Sequence, residues 1–183
     1  MTARLLFTAT LAIALSASAQ MKHDATPASG MEAMHHAPTV ASSSLTITGL
    51  DGKTQTYSFE DLRSMPHLTV KVHNAHSNAD ESYAGVPVSA LAKRAEPTLV
   101  SGDKGKIKPL MMVLVFRGTD NYHVALTMCD VDPSCHNGMV IVADQQDGKT
   151  IGTDGAFKLI VTEDKKPQRW VRNLSSITLK AID

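Results

Sequence analysis

The chain has 183 residues, 43% of them hydrophobic and 20% charged, with 18 basic residues set against 18 acidic ones. That length and composition fit a single domain with a sizeable core, and the scarcity of aromatics (4%) leaves Val, Ile, Leu and Met to fill it. Balanced charge excludes the basic excess that nucleic-acid binding requires, so no nucleic-acid partner is expected.

The N-terminus predicts export. Arg4 precedes an apolar run from Leu5 to Leu15, which is shorter than the roughly 20 residues a bilayer span needs. Ala17-Ser18-Ala19 then forms a small-residue cleavage motif, so residues 1–19 read as a signal peptide cut after Ala19. The expectation is a periplasmic or secreted protein with no transmembrane segment in the mature chain.

Residues 20–43 contain Pro, Gly, Ser and Ala without apolar periodicity and read as a disordered linker. The linker also holds Met21, His23, Met31, Met34, His35 and His36, a thioether and imidazole set suited to copper as well as to a plain solvated tail.

A single domain is predicted over residues 44–183. Leu45-Thr46-Ile47-Thr48 alternates as a half-buried strand, Asp51-Gly52 makes a turn, and Thr54 to Phe59 is a second strand. Ser58 and Asp61 are spaced close to a capping box, so Phe59 to Met65 predicts a short helix stopped by Pro66. His67 to His73 alternates again, and Asn74 to Glu81 reads as a polar loop. Val88, Leu91, Ala92 and Ala95 recur at helical spacing, and Glu96-Pro97 ends that helix. Residues 101–109, with Gly102 and Gly105, read as a basic surface turn.

From Leu110 to Asp144 three apolar runs, LMMVLVF, YHVALTM and MVIVAD, predict buried strands around which the rest packs. Met111, Met112, Met128 and Met139 read as core filling. Ala156 to Thr162 and Ser176 to Ile182 are further strands, with Trp170 as a core anchor flanked by snorkelling Arg169 and Arg172. Short strands with two or three short helices, in no regular β-α-β order, predict an α+β fold with mixed or antiparallel sheets.

Cys129 and Cys135 are the only cysteines. In an exported chain a disulfide is the default, provided Asp132-Pro133 turns the segment; two buried thiols, or a metal or redox role, are the alternatives. His73 and His76 form an H-x-x-H pair at a strand end, a candidate metal site or surface histidines, and His123 and His136 are candidates to converge with them.

Taken in order, LTITGL, YSFEDLRSMP, YAGVPVSALAKRA, FRGTDNYHVAL, MVIVADQQDGKTI and GAFKLIVTEDKKPQRWVRNLSSITL resemble the molybdopterin-binding domain of the sulfite oxidase family, in its small stand-alone exported form. The resemblance covers residues 44–182 and implies that family's fold. It implies a ligand site that includes Arg117, Asp120, Asn121, Tyr122 and Lys158, with molybdopterin as the cofactor the family would bring. The family's active members hold molybdenum through a cysteine in the loop after the strand that here is His67 to His73, where this chain reads VHNAHSNAD. Lys158 stands where the family has arginine, which keeps the charge and loses the bidentate fork. The expected function is a non-catalytic ligand-binding or accessory module with an unidentified small-molecule or protein partner. The alternatives are a molybdopterin-dependent oxidoreductase and a periplasmic copper-binding protein.

Overall fold

The computed structural model describes residues 40–97 and 111–182. These lie in the compact unit that runs from His36 to Asp183. The predicted signal peptide, most of the linker with its Met and His residues, and the glycine-containing turn at residues 101–109 lie outside the described residues. Val40 to Ser43 are described, and Ser42 is buried, its amide held by Asn173 Oδ1 and its carbonyl by the amide of Ala156.

Among the described residues the fold is α+β, with two five-stranded sheets and a few short helices. In the first sheet, β1 (Ser44–Thr48) lies between β2 (Thr54–Ser58) and the last strand, β10 (Leu174–Ala181). β10 in turn pairs with β5 (Met112–Gly118), and β5 with the edge strand β6 (His123–Thr127). Only β1 and β10 run parallel; the other pairs are antiparallel. In the second sheet β3 (Leu68–Asn74) pairs with β4 (Ala79–Pro87), and β4 with β7 (Val140–Gln146). The other side of β7 carries β8 (Lys149–Thr150) and β9 (Lys158–Val161).

Sequence chemistry accounts for the elements. β5 alternates buried and less buried residues, with Met112, Leu114 and Phe116 facing inward, as a strand with one covered face must. The first five residues of β7 are all buried, because both faces are covered. Helix α1 (Phe59–Arg63) starts on the predicted capping box: Asp61 N donates to Ser58 Oγ, and Ser58 N donates back to Asp61 Oδ2. Helix α2 (Val88–Ala95) buries Val88, Leu91 and Ala92, three of the four predicted stripe residues. One continuous apolar cluster draws on both sheets and the helices.

Several expectations are corrected. The segment from Asn74 to Glu81 is not a loop: Asn74 ends β3, Ala79 begins β4, and only residues 75–78 turn the chain. Residues 75–80 are exposed on a hairpin at the sheet edge, while Asn74 is buried and bonded to Glu81, so polarity did not mark a loop. The three central runs do not form one unit, since β5 and β6 lie in the first sheet and β7 in the second. Met128 to Val131 form a one-turn helix, α3, capped by the reciprocal bonds of Thr127 and Asp130. Met111 is 46% exposed, whereas Met112 and Met128 are buried and Met139 packs against the core.

Candidate functional site

The second sheet and the loops beside it surround a cleft of about 680 Å³. The end of β3 and its turn contribute Asn74 and His76, β4 contributes Glu81 and Tyr83, and β7 contributes Gln146. Asp154 comes from a single 3₁₀ turn (Gly152–Asp154), and Lys158 opens β9. A second 3₁₀ turn (Pro167–Arg169) leads into Trp170 and Arg172, and the β5–β6 turn adds Asp120 and Tyr122.

Lys158 is the centre of the arrangement. Its side chain is only 7% exposed, and its ammonium donates to Asp154 Oδ2 at 2.7 Å and to Tyr83 Oη at 3.1 Å. The same nitrogen lies 5.1 Å from the Tyr83 ring centroid and 5.7 Å from that of Trp170. The two rings meet edge to face, with centroids 5.7 Å apart. A buried cation needs this much compensation: a carboxylate, a hydroxyl acceptor and two aromatic faces. An ammonium has three protons, and two are used by Asp154 and Tyr83. The family resemblance puts Lys158 in a ligand site; in the structure its side chain is buried, with the Asp154 carboxylate, four residues earlier, bonded to its ammonium.

The polar chain continues on both sides. Tyr83 Oη donates to Glu81 Oε2 at 2.7 Å, and Glu81 also accepts from Asn74 Nδ2 at 3.0 Å and Ser77 Oγ at 2.8 Å. Burial alone would raise the Glu81 carboxyl, but the bonds from Tyr83, Asn74 and Ser77 and the charge of Lys158 outweigh it and hold its pKa below the ordinary value. Burial, and then the anionic acceptor Glu81, push the Tyr83 phenol well above its usual range. Tyr83 therefore stays protonated, a fixed donor rather than a nucleophile. On the other side Asp154 Oδ1 lies 3.9 Å from Arg172 Nη1, and the Arg172 side chain is 69% exposed. Trp170 is held by its indole N–H, which donates to the carbonyl of Val161 at 3.0 Å.

Three of the five ligand-binding candidates meet in this cleft: Asp120, Tyr122 and Lys158. Asp120 Oδ1 caps the amide of Tyr122 at 2.9 Å, and the Tyr122 hydroxyl donates to the carbonyl of Gln168 across the cleft mouth. Arg117 and Asn121 are exposed and do not line it; Arg117 Nη1 donates to Asn121 Oδ1 at 3.4 Å, and Asn121 takes the positive φ that makes the turn. The candidate metal pair is divided. His76 lines the cleft, whereas the His73 ring bonds to Asp80 across the hairpin. His123 turns back onto the carbonyl of Asn121, and His136 pairs with Glu163. Among the described residues no group of three or more His, Cys, Asp or Glu side chains is placed to hold a metal ion.

Cys129 and Cys135 form a disulfide, with Cα atoms 5.3 Å apart, and neither lines the cleft. Asp132 permits the closure by accepting from the amide and hydroxyl of Ser134, which turns the chain. No helix among the described residues is long and apolar enough to cross a membrane.

Sequence reasoning missed Glu81, Asp154 and the cleft roles of Tyr83 and Trp170. The one available signal was Lys158 itself, a lone cation inside the apolar run AFKLIV. Such a residue must find an anion when its strand is buried.

No protein-family model matches the chain, and no curated protein sequence matches it. Among solved structures, the chain is similar in fold to the sulfane dehydrogenase SoxCD from Paracoccus pantotrophus, with a TM-score of 0.56 and 20% sequence identity. The match covers 75% of this chain and 38% of that one, so the chain spans well under half the length of the protein it is similar to.

Proposed function

We propose that the chain is an exported binding module on the molybdopterin-binding fold of the sulfite oxidase family, and that its cleft takes a small anionic ligand. The observation that carries this reading is the ammonium of Lys158, buried at the cleft floor with one proton beyond those given to Asp154 and Tyr83. Arg172, only loosely held by Asp154, stands at the rim as a second cation able to swing onto an anion. The fold similarity to SoxCD supports the scaffold assignment.

The donor set does not fit a metal held by a protein thiolate. Both cysteines are consumed in a disulfide away from the cleft, and the turn after β3 offers His76 in place of a thiol. Soft thiolate donors are what that chemistry requires of the protein. We therefore assign no oxidoreductase step to this chain.

The test is thermal unfolding of the purified full chain with inorganic phosphate, sulfite and thiosulfate, alongside metal analysis of protein taken from its native compartment. A ligand at about 100 times its Kd stabilises by about 2.7 kcal/mol, a readily measured rise in Tm. The reading expects such a rise with at least one oxyanion, and a smaller one in Arg172→Gln. Stoichiometric molybdenum, or no response to any oxyanion, would overturn it.

A further inference from the structure

The disulfide-bonded segment is followed by the chain's only Asn-Gly dipeptide, Asn137-Gly138, outside the cleft. Asn137 is exposed, and Gly138 is buried directly behind it. The amide N–H of Gly138 donates to Nδ1 of His136 at 3.2 Å. The other ring nitrogen, Nε2, lies 3.1 Å from Glu163 Oε2. Since Nδ1 accepts from the amide, Nε2 carries the proton and donates it to Glu163, and the carboxylate thereby fixes the tautomer. The packing is close: a Cβ on Gly138 would lie 2.8 Å from both His136 Cε1 and Glu163 Cγ.

We propose that Asn137-Gly138 is a self-modification site at which His136 acts as the base. The main-chain nitrogen of Gly138 attacks Cγ of Asn137 and a C–N bond forms. The Cγ–Nδ2 bond breaks. The proton lost by Gly138 passes through His136 Nδ1 to the departing nitrogen, which leaves as ammonia. Water then opens the resulting succinimide to aspartate or isoaspartate at position 137. No oxidant or further reactant is needed. Glycine suits the step because no side chain shields its nitrogen. The arrangement of carboxylate, imidazole and reacting group follows the logic of a base oriented by an acid, with an amide nitrogen as nucleophile. The product places a negative charge beside Glu163. In its isoaspartyl form it also lengthens the main chain just before Met139, whose amide and carbonyl both bond to Thr162 where β7 begins.

The test incubates the full chain, disulfide intact, at neutral pH and physiological temperature, and follows the mass gain of amide loss by intact mass and peptide mapping. Asn137 is expected to convert well ahead of Asn74, Asn78, Asn121 and Asn173. His136→Gln, which keeps an acceptor for the Gly138 amide but removes the base, is expected to slow conversion about tenfold, below the roughly 10²–10⁴ of a well-aligned enzymatic base. Asn137→Gln is expected to abolish the signal. Conversion no faster than at the other asparagines, or equal or faster conversion in His136→Gln, overturns the proposal. If His136→Gln does not fold, the comparison becomes native against guanidinium-unfolded wild type. Faster conversion in the native state supports the proposal, and equal or slower conversion overturns it.

Discussion

His67 Nε2 lies 3.0 Å from Asp144 Oδ2, and this bond ties the segment between α1 and β3 to the β7 residue that the β4–β7 register skips. Ala84 pairs with Gln145 and Gly85 with Ala143, so Asp144 is the extra residue of a β-bulge. Beyond the bulge, Gln146 falls opposite Tyr83, and both line the cleft. The His67–Asp144 pair therefore sits where the register of the cleft wall is set.

Stability is predicted to fall as pH rises through the His67 titration. Burial opposes the charged imidazole, but the bonds from Asp144 and the Met65 carbonyl outweigh it and raise the His67 pKa above its ordinary 6.5, while Arg63 opposes weakly. A raised folded pKa means the contribution is complete below the unfolded value and is lost as pH climbs past the folded one. Urea unfolding on both sides of that interval checks it, and in His67→Gln the fall should vanish. His67→Ala, which leaves the 1% exposed Asp144 without its imidazole, should cost about 3 kcal/mol.

Gly85→Ala should be among the most damaging single substitutions. A Cβ there would stand 2.1 Å from the carbonyl oxygen of Val142 and 2.5 Å from Cα of Ala143, both main-chain atoms of the bulged strand. Neither can move without breaking the β4–β7 ladder, so a loss on the order of 4 kcal/mol, or failure to fold, is expected in chemical denaturation.

Lys158→Met should destabilise by about 3 kcal/mol despite its matched length, because Asp154 and the Tyr83 hydroxyl lose a buried partner together. A double-mutant cycle with Asp154→Asn should show strong coupling. Additive losses in that cycle would mean that Lys158 and Asp154 do not act as a pair.

Converting Cys129 and Cys135 to Ser together should cost about 2 kcal/mol, the chain-entropy value for so short a loop. Mass spectrometry after alkylation, with and without prior reduction, should find both thiols blocked in the native protein. Because the loop lies outside the cleft lining, the substitution should leave oxyanion binding unchanged.

Most strands and both longer helices were legible because their signals are local: alternation in β1 and β5, the Ser58–Asp61 capping box, and the Val88–Leu91–Ala92 stripe; β4 was not, because its first residues are polar. The division of β5, β6 and β7 between two sheets was not, since three apolar runs in sequence do not reveal which will pair. Asp120 and Tyr122 could be placed through the family resemblance, whereas Glu81 and Asp154 carried no local mark. Their roles depend on Lys158 being buried, and that depends on sheet closure between β7 and β9. His73 and His76 looked like a pair in sequence, but strand alternation and the turn at residues 75–78 send them to different surroundings.

The most direct test uses Trp170, the only tryptophan in the chain and part of the cleft wall, as its own reporter. Its fluorescence is titrated with phosphate, sulfite and thiosulfate, in the wild type and in Arg172→Gln. Binding of an anion at Lys158 predicts a saturable change with at least one oxyanion, weakened in the variant. A flat titration with all three, or an identical curve in the variant, would contradict the assignment of the cleft as an anion-binding site.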